Sequence, residues 1–189
     1  MFSLYLNLGF DHILTIEAID HLAFLLVLIS SVKPTEMKKM IGLITGFTIG
    51  HSLSLFAATT GIISVNMDVV EFLIPLTIAI SAVLNLIMNQ IRIKQSNLII
   101  LITVSFFGLI HGLGYSNYLS GALANSGESI FIPLLGFNIG VELAQLLLVV
   151  PVLFLGSYLF KWFPKLNPKL WVYIGSILGL LISLYLIFS

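Results

Sequence analysis

Cysteine is absent from the 189 residues, which excludes disulfides, thiolate metal sites and cysteine nucleophiles together. Charge is nearly as scarce. Asp, Glu, Lys and Arg make up 8% of the chain, against about 25% in a soluble domain, so no water-facing surface can be built from it. The formal net charge is zero, which argues against a nucleic-acid partner. The opening Met1 to Phe10 lacks a basic n-region and a small-residue cleavage site; it reads as a segment along the membrane surface before Asp11 caps the first helix, not as a signal peptide. No internal repeat or low-complexity tract is evident. What remains is apolar: 59% of residues are hydrophobic. The expected fold class is all-α, a polytopic membrane helix bundle of about six transmembrane helices forming a single transmembrane domain over residues 1–189, since each span takes about 20 residues.

Polar and proline-bearing punctuation divides the apolar stretches into helices expected from Asp11 to Ser31, Lys38 to Thr60, Asp68 to Met88, Asn97 to Tyr118, Ser129 to Phe160 and Pro168 to Phe188. Pro151 within the fifth is tolerable because neighbouring helices re-satisfy the freed carbonyl. All eight basic residues fall on one side: Lys33, Lys38 and Lys39 after helix one, Arg92 and Lys94 after helix three, and Lys161, Lys165 and Lys169 around the join of five and six. The positive-inside rule then places both termini outside the cytoplasm, and leaves Asp11, Asp68 and Glu128 to make the outer side acidic.

The informative residues are those that lipid ought to exclude. Helix one carries Glu17, Asp20 and His21, helix two His51, helix four His111, and helix five Asn138, Glu142 and Gln145. Counting inward from the outer ends puts Asp20 and His21 about 14–15 Å down, His51 about 13 Å, His111 about 10 Å, and Asn138 and Glu142 about 13 and 20 Å. Four helices thus bring polar groups to one layer. Facing agrees, because Glu17, Asp20 and His21 share a face, as do Thr48, His51 and Ser52, and Asn138, Glu142 and Gln145. Tyr115 lies one turn beyond His111. Gly42, Gly46 and Gly50 on helix two, and Gly108 and Gly112 beside His111, permit close helix approach. His12 stands nine residues before His21, which puts it on nearly the opposite face of a continuous helix and close to the surface, apart from the deep group.

A single intramembrane histidine is often no more than a hydrogen-bond donor between helices. Three histidines and two carboxylates at one depth are an expensive way to hold helices together, and a cation is what repays their dehydration. Imidazole and carboxylate suit zinc, nickel, cobalt, copper or ferrous iron. Asp20, His21, His51, His111 and Glu142 are the candidate metal ligands, with Ser52, Asn138 and Gln145 to orient them and Glu17 to pair with His21 or reach a vestibule. Tyr115, Tyr118, Trp162 and Trp171 are expected in the interfacial aromatic belts.

Four runs carry a resemblance. They are Ile19-Asp20-His21-Leu22-Ala23-Phe24-Leu25, Gly46-Phe47-Thr48-Ile49-Gly50-His51-Ser52-Leu53-Ser54-Leu55, Phe107-Gly108-Leu109-Ile110-His111-Gly112-Leu113-Gly114, and Phe137-Asn138-Ile139-Gly140-Val141-Glu142-Leu143. In this order, on helices one, two, four and five, the chain resembles the HupE/UreJ family. The resemblance implies a polytopic protein, in a bacterial inner membrane, associated with nickel or cobalt uptake for hydrogenase or urease maturation. It also implies metal interaction at Asp20 and His21, and at His12.

Two functional classes follow. In one, a divalent cation such as nickel, cobalt or zinc is captured from outside, binds His21, His51, His111, Asp20 and Glu142, and passes inward along a gated path to which Thr48 and Tyr115 belong. In the other, an integral-membrane metalloenzyme, the same ligands hold a permanent metal that attacks a lipid-soluble substrate, with Glu17 or Glu142 as general base. No HExxH or other hydrolase motif is present, so permeation ranks first. A metal sensor or chaperone is a third class. The expected partners are the metal ion and the lipid bilayer; nothing in the residues decides between a monomer and a homo-oligomer.

Overall fold

Inside a bilayer a backbone must satisfy its own amides, and long apolar runs therefore become helices. The computed structural model describes residues 2–15, 18–91, 96–123 and 129–189, and every regular element among them is helical. In chain order these are α1 (Phe2–Leu14), α2 (Ile19–Ser30), α3 (Met37–Thr59), α4 (Met67–Ile91), α5 (Asn97–Gly114), α6 (Ser116–Leu123), α7 (Phe131–Trp162) and α8 (Lys169–Phe188). Five of them, α3, α4, α5, α7 and α8, are long and apolar enough to cross a membrane, and α1 with α2 makes a sixth candidate. Their outward faces are apolar too: Phe106 is 55% exposed, Phe154 64% and Leu181 59%, which only lipid accommodates. The protein is an integral membrane helix bundle.

The expectation of one continuous first helix from Asp11 to Ser31 is corrected. Helix α1 begins at Phe2 and ends at Leu14, α2 begins at Ile19, and their axes differ by 72°. The opening segment does not run alone along the surface either, because α1 packs lengthwise against α7. Gly9 lies on the Phe137 backbone, Gly140 on the Leu6 carbonyl and Gly136 on Phe2 and Tyr5, so three missing side chains let the two backbones touch. Tyr5 and Ile13 are buried there against Phe137, Val141 and Ala144.

The α3 and α5 pair uses the glycines that the spacing singled out. A Cβ on Gly50 would overlap the Ser105 carbonyl, one on Gly108 the Phe47 carbonyl, and one on Gly112 the His51 carbonyl. Gly42 is different, since nothing lies within 4 Å of the position its Cβ would take. The fourth span ends sooner than expected, at Gly114. The Ser116 hydroxyl donates to the Leu113 carbonyl at 2.7 Å and the short α6 follows as a separate helix. Pro75 and Pro151 both lie inside unbroken helices.

Helix α8 serves as scaffold against α2 and α4. Ser30 and Ser176 share a hydrogen bond of 2.9 Å, and Asn85 donates to the Val27 carbonyl at 3.0 Å. The Trp171 indole N–H donates to the carbonyls of Ile29 and Val32, at 3.0 and 3.1 Å, and so closes the end of α2. Trp171 therefore has an internal task beyond the interfacial one expected of it. Arg92, Lys94, Glu128 and Glu17 lie outside the described residues.

Candidate metal centre

Each deep histidine arrives on a different helix: His21 on the first turn of α2, His51 in the middle of α3, and His111 near the end of α5. All three are buried, with exposures of 3%, 0% and 2%. The bend between α1 and α2 brings in a fourth. The ring centroid of His12 lies 4.8 Å from that of His21, and that of His111 lies 5.3 Å from that of His21. One ligand nitrogen from each of His12, His21 and His51 falls within 4.8 Å of the others. His12 is thus beside the deep group, contrary to the expectation from helical phase, because a face counted at 3.6 residues per turn is lost where the helix ends.

The three deep imidazoles are held alike. His21 Nδ1 bonds Asp20 Oδ1 at 3.0 Å, His51 Nδ1 bonds Asn138 Oδ1 at 3.0 Å, and His111 Nδ1 bonds the Phe107 carbonyl at 3.0 Å. The partner at His51 is unambiguous, since the Asn138 amide nitrogen is committed to the Leu134 carbonyl at 2.8 Å and leaves its oxygen for the ring. All three partners accept only, so each ring carries a proton on Nδ1, and in the neutral imidazole Nε2 presents a lone pair. Those three Nε2 atoms are buried and find no hydrogen-bond partner among the described residues. A buried polar atom left unpaired costs about 1–3 kcal/mol, and lone pairs cannot satisfy each other. None of the described residues does so, and water or a cation would.

Aromatic rings enclose the group. Phe47, fully buried, sits 5.3 Å from His111 and 6.1 Å from His51 between ring centroids, while Phe137 stacks 6.1 Å from His51. Tyr115 covers His12 at 4.3 Å and stacks on Phe137 at 4.6 Å, so it touches the cluster. Such walls exclude water and strengthen whatever electrostatic interaction forms inside.

The other candidates separate by position. Asp20 uses Oδ1 on both the His21 ring and the His21 backbone N–H, at 3.0 and 2.7 Å, which makes it an orienting group. Glu142 accepts from the Thr45 hydroxyl at 2.6 Å. Thr48 donates to the Ile44 carbonyl at 3.1 Å and lies 3.5 Å from the Gln145 amide oxygen. Ser52 donates back to the Thr48 carbonyl at 2.7 Å, so its proton is used within α3. Glu17 lies outside the described residues. Sequence reasoning passed over Thr45, although it stands three residues before Thr48 on the same stripe, and it gave no part to Phe47 and Phe137, which look like ordinary core.

The anchor of His51 yields a direct expectation. Asn138→Ala removes the oxygen that fixes the tautomer and should weaken metal binding by about 10–100-fold, the usual effect of losing an outer partner. Isothermal titration with nickel measures it; an unchanged affinity would mean that His51 is not a ligand.

No curated protein and no solved structure matches the chain. The family described as HupE / UreJ protein matches residues 1–189, and a match of that extent, over an integral membrane bundle with clustered histidines, means that the chain belongs to the HupE/UreJ family.

Proposed function

We propose that this protein is a divalent transition-metal permease of the nickel and cobalt type, and that its substrate ion binds at the imidazole cluster. One observation carries the proposal: three buried imidazoles, each held through Nδ1, keep Nε2 atoms that find no partner among the described residues, beside the rings of Phe47 and Phe137. His21 and His51, with His12 within 4.8 Å, supply the nitrogens for the first capture, and His111 extends the set from the α5 side. Imidazole nitrogens exchange a borderline ion more readily than thiolates do, and a conducting site must bind well enough to take the ion from water yet release it. Asp20 contributes charge through His21 without needing to touch the ion. The lysine-bearing loops mark the cytoplasmic side of a bacterial inner membrane, so the ion enters from the side of the chain termini.

Proteoliposomes containing the purified protein are expected to accumulate radioactive nickel or cobalt at least about tenfold faster than protein-free liposomes, with the rate lost in His21→Ala, since removing a ligand exceeds the effect of removing an outer partner. Absence of accumulation for nickel, cobalt, zinc and manganese alike would overturn permeation. Metal that co-purifies and resists chelation while uptake is nil would point instead to a resident metal and catalysis.

A further inference from the structure

Beyond the imidazole cluster, α3 and α7 go on facing each other through polar side chains. Thr48 and Thr45 stand three and six residues from His51, and Glu142 and Gln145 four and seven from Asn138. At a rise of about 1.5 Å per residue, both rows extend about 5–10 Å past the His51–Asn138 pair. They do so toward the lysine-bearing ends of their helices, because Lys38 and Lys39 stand at the start of α3 and Lys161 at the end of α7.

Two features of these rows have no structural explanation. The first is Glu142, a part-buried carboxylate whose bond partner is the Thr45 hydroxyl at 2.6 Å and which has no ion-pair partner among the described residues. An acid at membrane depth without a counter-charge is costly to keep. The second is Gln145, fully buried, whose amide nitrogen finds no partner among the described residues. Thr48 has one hydroxyl proton, and the Ile44 carbonyl takes it at 3.1 Å. The Gln145 amide, 3.5 Å from the Thr48 oxygen, then fits better with its nitrogen donating to that oxygen. The unsatisfied buried atom becomes the amide oxygen, an acceptor one helical turn from a carboxylate on the same face.

Resting on the imidazole cluster being a cation site, we propose that Thr45, Thr48, Glu142 and Gln145 form a second cation site, built of oxygen ligands alone, onto which the ion steps from the imidazoles. A carboxylate, two hydroxyls and an amide carbonyl make a hard set. Such a set holds a borderline ion less tightly than imidazoles do and lets it recover water, which is what release requires. Glu142 is then a ligand of this exit site and not of the histidine cluster.

The test uses the purified full-length protein in lipid nanodiscs with Mn2+ as probe, because manganese favours oxygen ligands, and reads bound Mn2+ from the loss of the free-ion paramagnetic resonance signal. In a His21→Ala/His51→Ala background Mn2+ should still bind, and adding Glu142→Gln should weaken it at least about tenfold, whereas Glu142→Asp should restore most of the loss. Should the double variant fail to stay monodisperse, Glu142→Gln in the otherwise unchanged chain should remove one Mn2+ site. Mn2+ binding indifferent to Glu142→Gln in either background overturns the proposal. Nickel supplies the second arm: Glu142→Gln should keep equilibrium Ni2+ binding within about threefold of the parent while uptake into proteoliposomes falls at least about tenfold. Loss of Ni2+ binding as complete as in His51→Ala would make Glu142 part of the imidazole site and also overturn a separate oxygen site. The Mn2+ arm needs no histidine, so absence of Ni2+ binding in the parent protein, which would sink the imidazole site, is read apart from it.

Discussion

Replacing His51 with alanine is expected to lower nickel affinity at least about 100-fold, because losing a ligand should exceed the 10–100-fold effect of losing an outer partner. His51 is fully buried, its Nδ1 is committed to Asn138, and its Nε2 has no partner among the described residues, so no other task in the fold accounts for that nitrogen. The substitution also strips Asn138 of a donor and opens a space in the core, which costs stability of its own at about 1–3 kcal/mol. The two effects are separated by measuring stabilisation by the ion. At a concentration near 100 times the dissociation constant, nickel should stabilise the parent protein by about 2.7 kcal/mol and leave His51→Ala unmoved. Thermal unfolding in detergent with and without nickel gives both numbers. Equal nickel-dependent stabilisation of parent and variant would remove His51 from the site.

Gly108→Ala, like a methyl group at any glycine in backbone contact with another helix, should destabilise the bundle strongly. Its Cβ would overlap the Phe47 carbonyl oxygen and approach the His51 backbone nitrogen at 3.0 Å, and neither atom belongs to a side chain that can rotate away. Helices α3 and α5 must separate to admit it, which costs about 3 kcal/mol or more, at the top of the range for overpacking. The same movement displaces Phe47 and His51 from His111, so metal binding should fail together with stability. Gly42→Ala is the matched control. It continues the four-residue series of Gly46 and Gly50 on α3, nothing stands within 4 Å of its Cβ position, and a better helix former there should be neutral or stabilising by up to about 1 kcal/mol. Unfolding midpoints of the two variants compared in one detergent check the contrast; equal midpoints would mean that α3 and α5 are not in backbone contact.

Much of the site was legible because lipid makes polar residues conspicuous. His21, His51 and His111 were singled out by chemistry and depth alone; His21 and His51 fall in one group with His12, the His111 ring lies 5.3 Å from that of His21, and Asp20 and Asn138 hold the Nδ1 atoms of His21 and His51. The glycines flanking His111 were legible for a similar reason, since four-residue spacing survives whatever partner a helix finds. Three things were not legible. His12 looked remote because its face was counted along a helix that ends at Leu14. The Thr45 partner of Glu142 was hidden, because a hydrogen bond between α3 and α7 depends on where two helices cross. The docking of α1 on α7 hid in Gly9, Gly136 and Gly140, ordinary glycines until their partners are known.

By itself the sequence determined the solvent and the class: too few charges for water, runs of the length that spans a bilayer, no sulfur ligand, and imidazoles at a depth that makes them conspicuous. Tertiary structure decided which of those imidazoles and acids are neighbours. Periodicity specifies direction around one unbroken helix axis and nothing more. The angle of 72° between α1 and α2, and the glycine-lined approaches of α3 to α5 and α1 to α7, fix directions between axes, and those arise from packing contacts that no local spacing encodes.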